Sequence, residues 1–429
     1  MGSLSLLRDR EFLALSGTAF ARAQAYSTIA IALALYAEQF GTTSTVEGLF
    51  GTAFALAQLV IVLPLGRKID TGNAKRYLLA GLVLNVLVFV GFVFVGSVEH
   101  VILVRVVQGL GASLLWITGS TVVGEISPDG ERGQWLGTYN QVGAFSSLAG
   151  DLVGGALLAL YGFTLTYAVL AAVTVGAALL VLLALRENPG GRTDPEEATG
   201  VETIRNLLGR RAIRALVTFR LGLSFGKMCV ILFLPIYART AFGMNPFLVG
   251  GILAGGKVTK GLTQGYVGTL TDRLGGKHRF VAAGALLYAV GTALIPLAEV
   301  GDRFFPAVTL TLPPGIATGT VTLVPAFFVL FGAYGVCGVA DSIRLPASMA
   351  LFVEEGEEFD AVAGSMSLRS IAWKVGQVTG PVTVGAVWDA TDVTTAFVTA
   401  AAFIAVATGV FVLLYRGVTA PDVVPTPGD

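Results

Sequence analysis

The chain is a succession of apolar runs, most of them about 20 residues long or longer, separated by short polar joints. A run of that length is what an α-helix needs to cross the hydrocarbon of a bilayer. Only helices and closed barrels satisfy their backbone polar groups there, and continuous runs without strict alternation favour helices. The rest of the chain leaves little room for another solvent. Of 429 residues only 13% are charged, 54% are hydrophobic, and mean hydropathy is +0.76. A soluble domain carries roughly a quarter charged residues, so these charges are too few to coat a water-facing surface.

The runs predict twelve spans, at 12–37, 45–65, 77–97, 100–124, 134–160, 163–185, 212–238, 246–267, 280–298, 322–352, 361–388 and 393–415. Basic residues crowd alternate loops, from Arg8 and Arg10 through Arg67, Lys75 and Arg132 to Lys277, Arg279 and Arg416, while the opposite loops hold only Arg239 and Arg303. That asymmetry predicts a multi-pass protein of the cell membrane with both termini in the cytoplasm. The acidic run Glu354–Asp360 is expected in one of the inner loops. The first run lacks the short core and small-residue site of a cleaved signal and is expected to be the first span.

Two charged knots interrupt the oily chain. GRKIDTGNAKR runs from Gly66 to Arg76, and GTLTDRLGGKHR from Gly268 to Arg279. Gly66 and Gly268, Asp70 and Asp272, and Lys75 and Lys277 share one offset, which indicates an internal repeat of six spans. The expected fold is therefore an all-α membrane protein of twelve transmembrane helices in two pseudo-symmetric six-helix bundles. The first bundle is expected over 1–185 and the second over 212–429. The Pro-, Gly- and charge-rich 186–211 would link them, ending in an amphipathic stretch. The outer segment Gly301–Gly319 is expected to form a small hairpin.

These residues resemble the major facilitator superfamily. G-x-L-x-D-R-x-G-x-K-x-R at Gly268–Arg279 is similar to the family's loop signature, with a degenerate copy at Gly66–Arg76. Arg105, Gln108 and Gly109 match R-x-x-Q-G in the fourth span. Gly150-Asp151-Leu152-Val153-Gly154-Gly155 is similar to the exporter signature G-P-x-x-G-G, with aspartate in place of proline. The resemblance implies alternating access, in which two bundles rock about a central cavity. The knots then read as a releasable cytoplasmic latch of Gly66, Arg67, Asp70, Gly268, Asp272, Arg273 and Arg279. Asp70 and Asp272 would face helix N-termini of the opposite half, where the dipole favours an anion.

Ionisable residues inside spans are expensive and usually face a cavity or a partner. They are missing from the third, sixth, ninth and twelfth spans, which are expected to face lipid. The basic set is Arg22, Arg105, Arg220, Lys227, Lys257, Lys260, Arg344, Arg369 and Lys374. Asp151 and Asp341 are the acidic residues well inside spans, with Glu125 near an inner end. The basic surplus predicts a solute carrying negative charge, with Arg22, Lys227, Lys257 and Lys374 as binding candidates. Arg220, Lys260, Arg344 and Arg369 have a competing reading, snorkelling to water or lipid phosphate. Asp151, Arg105 and Asp341 are the proton-coupling candidates: Asp151 as carrier with Arg105 as the base that opposes it, Asp341 also as a structural partner of Arg344. Trp116 and Trp373 read as solute-stacking or packing residues.

No Walker loop, catalytic constellation or metal-ligand spacing is present, and Cys229 and Cys337 sit in apolar runs. The chain is expected to be no enzyme and to need no cofactor or metal. Net charge is zero, which gives no reason to expect nucleic acid. The expected partners are a small-molecule solute, membrane lipid and protons as coupling ion, acting on a monomer. The leading reading is proton-coupled efflux of a small organic solute, anionic or amphiphilic. Uptake or exchange of an organic anion without proton coupling, and a non-transporting membrane sensor, are the alternatives.

Overall fold

The computed structural model describes residues 3–71, 73–128, 131–187, 201–311, 320–359 and 361–416, with the side chains of 3–5, 63–71, 201–203, 269, 272 and 363 left aside. The first half comprises α1 (Arg10–Phe40), α2 (Ser44–Thr71), α3 (Ala74–Val93), α4 (Val98–Ile126) and the long α5 (Arg132–Ala184). A short α6 (Val201–Gly209) precedes α7 (Arg211–Thr240), α8 (Pro246–Leu274), α9 (Lys277–Leu294), α10 (Pro325–Glu357), α11 (Val362–Ala390) and α12 (Val393–Arg416). Inside α5 the helix breaks at Gly162, whose φ of 68° only glycine adopts easily, so α5 supplies the fifth and sixth spans. With that break, α1–α5 and α7–α12 give twelve spans in two six-helix sets.

Caps fix where these helices begin. Asp9 accepts from the Phe12 amide at 2.8 Å and Asn245 from Leu248 at 2.9 Å, with Pro246 opening α8. By length and composition alone, α2, α3, α4, α5, α7, α9, α10 and α12 qualify as membrane spans. The spans that fall short are α1, α8 and α11. Each carries polar or charged groups that face other helices instead of lipid. Exposed apolar side chains are plentiful on α3, on the second part of α5, on α9 and on α12, among them Leu87, Leu183, Val290 and Val406. Those are the spans that the sequence marks as free of charge.

Consecutive spans alternate in direction, so the bundle has two faces. One, here the terminal face, holds the start of α1 and the end of α12. The far face holds the α1–α2 and α7–α8 turns. Two differences from the sequence reading occur at the ends. Residues Glu354–Glu357 continue α10 as helix, since Lys277 pairs with Glu354 and the Tyr415 hydroxyl donates to Glu355 at 2.9 Å. The hairpin forms from β1 (Val308–Thr311) and β2 (Thr320–Leu323), paired antiparallel, so its second strand lies beyond Gly319. The amphipathic α6 buries Leu207 against Ile213 and Leu368, on the terminal ends of α7 and α11.

Glycine spacing shows how the halves meet. On α8, Gly250, Lys257, Gly261 and Gly268 lie on one face; on α5, Gly155, Asp151, Gly137 and Gly133 do. Toward the far face these two stripes are jammed together. A methyl group on Gly250 would stand 2.1 Å from the Asp151 carbonyl oxygen, and one on Gly155 would stand 2.7 Å from that of Pro246. Toward the terminal face a methyl on Gly133, Gly137, Gly261 or Gly268 would meet open space. The second contact repeats this, with Gly48 of α2 against Pro381 and Gly385 of α11 against Ser44. The halves thus touch at the far face and diverge toward the terminal face, leaving a wedge-shaped cavity.

Candidate functional site

At the apex of the wedge, Lys257 of α8 meets Asp151 of α5 at 2.5 Å. Its Nζ also donates to Ser27 Oγ at 2.8 Å and to the Ser147 carbonyl at 3.2 Å, and the two serine hydroxyls are 2.7 Å apart. Asp151 is wholly buried, while the Lys257 side chain is 30% exposed, so the pair is reached from the lysine side. Asp151 is held there by its own helix. Gly150 and Gly154 pack α5 onto α1 at Gln24 and Thr28, where Thr28 Oγ1 donates to the Gly150 carbonyl at 3.0 Å. Gly155 alone of the three meets the second half. The exporter-like motif therefore seats one carboxylate on the seam between halves.

Arg105, expected to oppose Asp151, does not reach it, and neither does Arg22. Arg105 turns to α2, where its Nε donates to the Phe50 carbonyl at 2.8 Å and its Nη1 to Gln108 Oε1 at 2.5 Å. Gly109 lets α4 approach the Phe54 carbonyl, and the guanidinium lies 4.4 Å from the Phe54 ring. The R-x-x-Q-G motif is thus a clasp between α4 and α2. Arg22 lies over Trp116 at 4.2 Å. The reason is reach: Lys257 arrives from the facing helix, whereas α5 turns Asp151 away from α4.

The other sequence candidates divide. Asp341 pairs with Arg344 within α10 and with Lys227 of α7, so both of its bonds lie in the second half. Lys374 of α11 donates to Gln377 and, across the seam, to Gln58 of α2; among the described residues no carboxylate pairs with it. A small cavity between the halves is lined by Tyr26, Phe54, Arg105, Met228 and Gln377.

Sequence reasoning undervalued Arg220 and Arg344. Both were open to a snorkelling reading, yet Arg344 is 1% and Arg220 7% exposed. Arg344 is held inside because α9 packs against its backbone at Gly284, and Arg220 because it stacks on Trp373 at 4.1 Å. The signal was available in the spacing: Arg220 and Lys227 share a face of α7, as Arg369 and Trp373 do on α11. The two tryptophans are platforms for arginines.

Of the expected latch, Gly66, Arg67, Asp70 and Asp272 lie outside the residues whose side chains are described. Gly268 faces open space, and Arg273 and Arg279 are exposed on the diverged face. The knot lysines each brace their own half. Lys75 donates to the Leu182 and Leu185 carbonyls at the end of α5 and pairs with Glu187 at 2.9 Å, as Lys277 pairs with Glu354. An aspartate does sit at a helix N-terminus of the opposite half, but on the far face. Asp389 of α11 accepts from the Ser44 and Thr45 amides, each at 2.8 Å. Arg239 and Glu38 join the same face at 2.6 Å.

Two six-helix sets hinged about a charged seam define a polytopic membrane transporter. The family model of the Major Facilitator Superfamily matches residues 15–312 and 223–428, and the chain belongs to that family. It is 24% identical over 372 residues to multidrug resistance protein MdtG of Escherichia coli, covering 84% of each chain. It is 23% identical over 305 residues to the multi-drug resistance efflux pump PmrA homolog of Lactococcus lactis, covering 69% of this chain and 74% of that one. Among solved structures it superposes on a bacterial homolog of the human lysosomal transporter Spinster with a TM-score of 0.72, at 16% identity, covering 94% and 96% of the two chains. A POT family transporter gives a TM-score of 0.73 at 14% identity, with 96% and 97% covered. The protein is a multi-pass secondary transporter and not an enzyme.

Proposed function

We propose that this transporter exports a small organic solute, anionic or amphiphilic, in exchange for protons, and that Asp151 carries the proton. One observation supports this above the others: the buried Asp151–Lys257 pair spans the seam at the closed end of the cavity. For the far face to open, α5 and α8 must part and the pair must break. Separating two buried ions costs several kcal/mol, because each is left unpaired in a low dielectric. A proton on Asp151 removes the carboxylate's share of that cost, and an anionic solute beside Lys257 removes the ammonium's. Solute entering from the cavity takes the place of Asp151 beside Lys257 and lets the pair part on the outward leg; the freed Asp151 then takes a proton from outside. Closure of the far face after the solute has left re-forms the pair and releases that proton into the cavity, now open inward.

The loop charges support placing the terminal face in the cytoplasm, at the cell membrane. In that orientation the present form is inward-open. The bundles would then be 1–185 and 212–429, joined by a cytoplasmic linker at 186–211, and working as a monomer. Efflux is also the activity named for the PmrA homolog, and multidrug resistance for MdtG.

The test uses proteoliposomes loaded with a panel of fluorescent organic anions and amphiphilic dyes, with a pH gradient imposed. Wild-type protein is expected to move a member of the panel only with the gradient, and Asp151→Asn to lose that dependence. Equal, gradient-independent exchange in both would remove the proton reading. It would favour the second one, exchange of an organic anion, for which Lys374, paired with no carboxylate among the described residues, already speaks.

A further inference from the structure

The second half holds a cationic cluster that the proton cycle above does not use. Arg220 of α7, Arg344 of α10 and Arg369 of α11 are like-charge neighbours, with Lys227 and Lys260 beside them. Among the described residues Asp341 is the carboxylate within this group, and Lys227 and Arg344 already share it. The guanidinium donors are not used up. Arg344 Nε and Nη1, Arg220 Nε and Arg369 Nε are buried without an acceptor. Arg344 is 99% buried and Arg220 93%, from exposures of 1% and 7%.

Buried guanidiniums with idle donors and like-charged neighbours are costly, and the cost falls when an anion binds among them. Planar N–H forks suit oxyanions, which accept two bonds from one arginine. A single carboxylate offers two oxygens in one plane. Here donors come from three helices and the surplus exceeds one charge, which suits a divalent, tetrahedral acceptor. Trp373 fixes the Arg220 plane from one side. Lys260 and Arg369, both partly exposed, form the side of the cluster that water reaches.

We propose that Arg220, Arg344 and Arg369 form a binding site for the phosphate-type oxyanion head of the transported solute. This rests on the transport reading above and narrows its solute class. Arg344 is the buried floor, held by Asp341; Arg369 is the entry residue.

The test measures binding without flux. Purified protein in phosphate-free maltoside detergent is titrated at constant ionic strength with inorganic phosphate, glycerol phosphate or acetate, while Tm is followed. The two phosphates are expected to raise Tm and acetate to leave it unchanged. Arg369→Gln is expected to weaken the apparent affinity about tenfold or more, and Arg369→Lys to recover part of it. A parallel arm uses phosphatidic acid in mixed micelles. A shift with phosphatidic acid alone, lost in Arg369→Gln, assigns the same site to a lipid head group. The proposal is overturned if no phosphate-bearing probe moves Tm, if acetate does so equally, or if Arg369→Gln responds like wild type. Failure here leaves the proton cycle to its vesicle assay, and failure there leaves this binding result intact.

Discussion

Gly250 of α8 lies so close to Asp151 of α5 that a methyl group on it would overlap the aspartate's carbonyl oxygen, at 2.1 Å. About two turns further along α8, Lys257 reaches the same aspartate's carboxylate. Backbone contact and ion pair are thus made by the same two helices at one level of the seam. Sterics permit the closure and charge holds it.

Gly250→Val should therefore prevent closure of the far face without unfolding either half. The expected result is loss of transport with normal insertion, and far-face cysteines that label faster than in wild type. Gly261→Val, on the same stripe where it meets open space, should label as wild type does.

The Asp151–Lys257 pair should show strong coupling in stability. Removing Asp151 alone leaves an ammonium without its anion, so Asp151→Asn should cost more than the double variant with Lys257→Gln predicts. A double-mutant cycle on Tm, converted to free energy, is expected to give about 1–3 kcal/mol of interaction. A value near zero would count against the pair as a lock.

Asp389 is expected to bias the conformational equilibrium. It caps the N-terminus of α2 from the other half, and loss of a cap costs about 1 kcal/mol. Asp389→Ala should shift the balance toward the far-open form by about fivefold. Spin labels placed on exposed Leu262 and Phe145, on the diverged ends of α8 and α5, should report a larger short-distance population.

Arg105→Ala should act on stability and not on coupling. The side chain ties α4 to the Phe50 carbonyl of α2 and makes no contact with Asp151. The expected loss is about 1–3 kcal/mol, with the pH-gradient dependence of the remaining flux unchanged. A flux that becomes gradient-independent would restore Arg105 to the proton path.

Much of this molecule is legible before any coordinates. Span length follows from bilayer thickness, so the twelve apolar runs set the helices, and the break at Gly162 falls between the runs 134–160 and 163–185. The constant offset between the knots at Gly66 and Gly268 announced two similar halves. Charge inside spans is costly, so its absence from four of them marked the lipid-facing set.

What the chain order does not contain is which charge meets which. Asp151 lies within reach of several bases by any count of spans, and only the packing of α5 against α8, at Gly155 and Gly250, selects Lys257 over Arg105 and Arg22. Arg220, Arg344 and Arg369 are far apart in sequence and each looks like a residue near a helix end; three helices converging in the second half make them one cluster. Periodicity along a helix gives its faces, because that is local geometry. The partner of a face depends on the tilt of one helix against another, which is settled by contacts between distant parts of the chain.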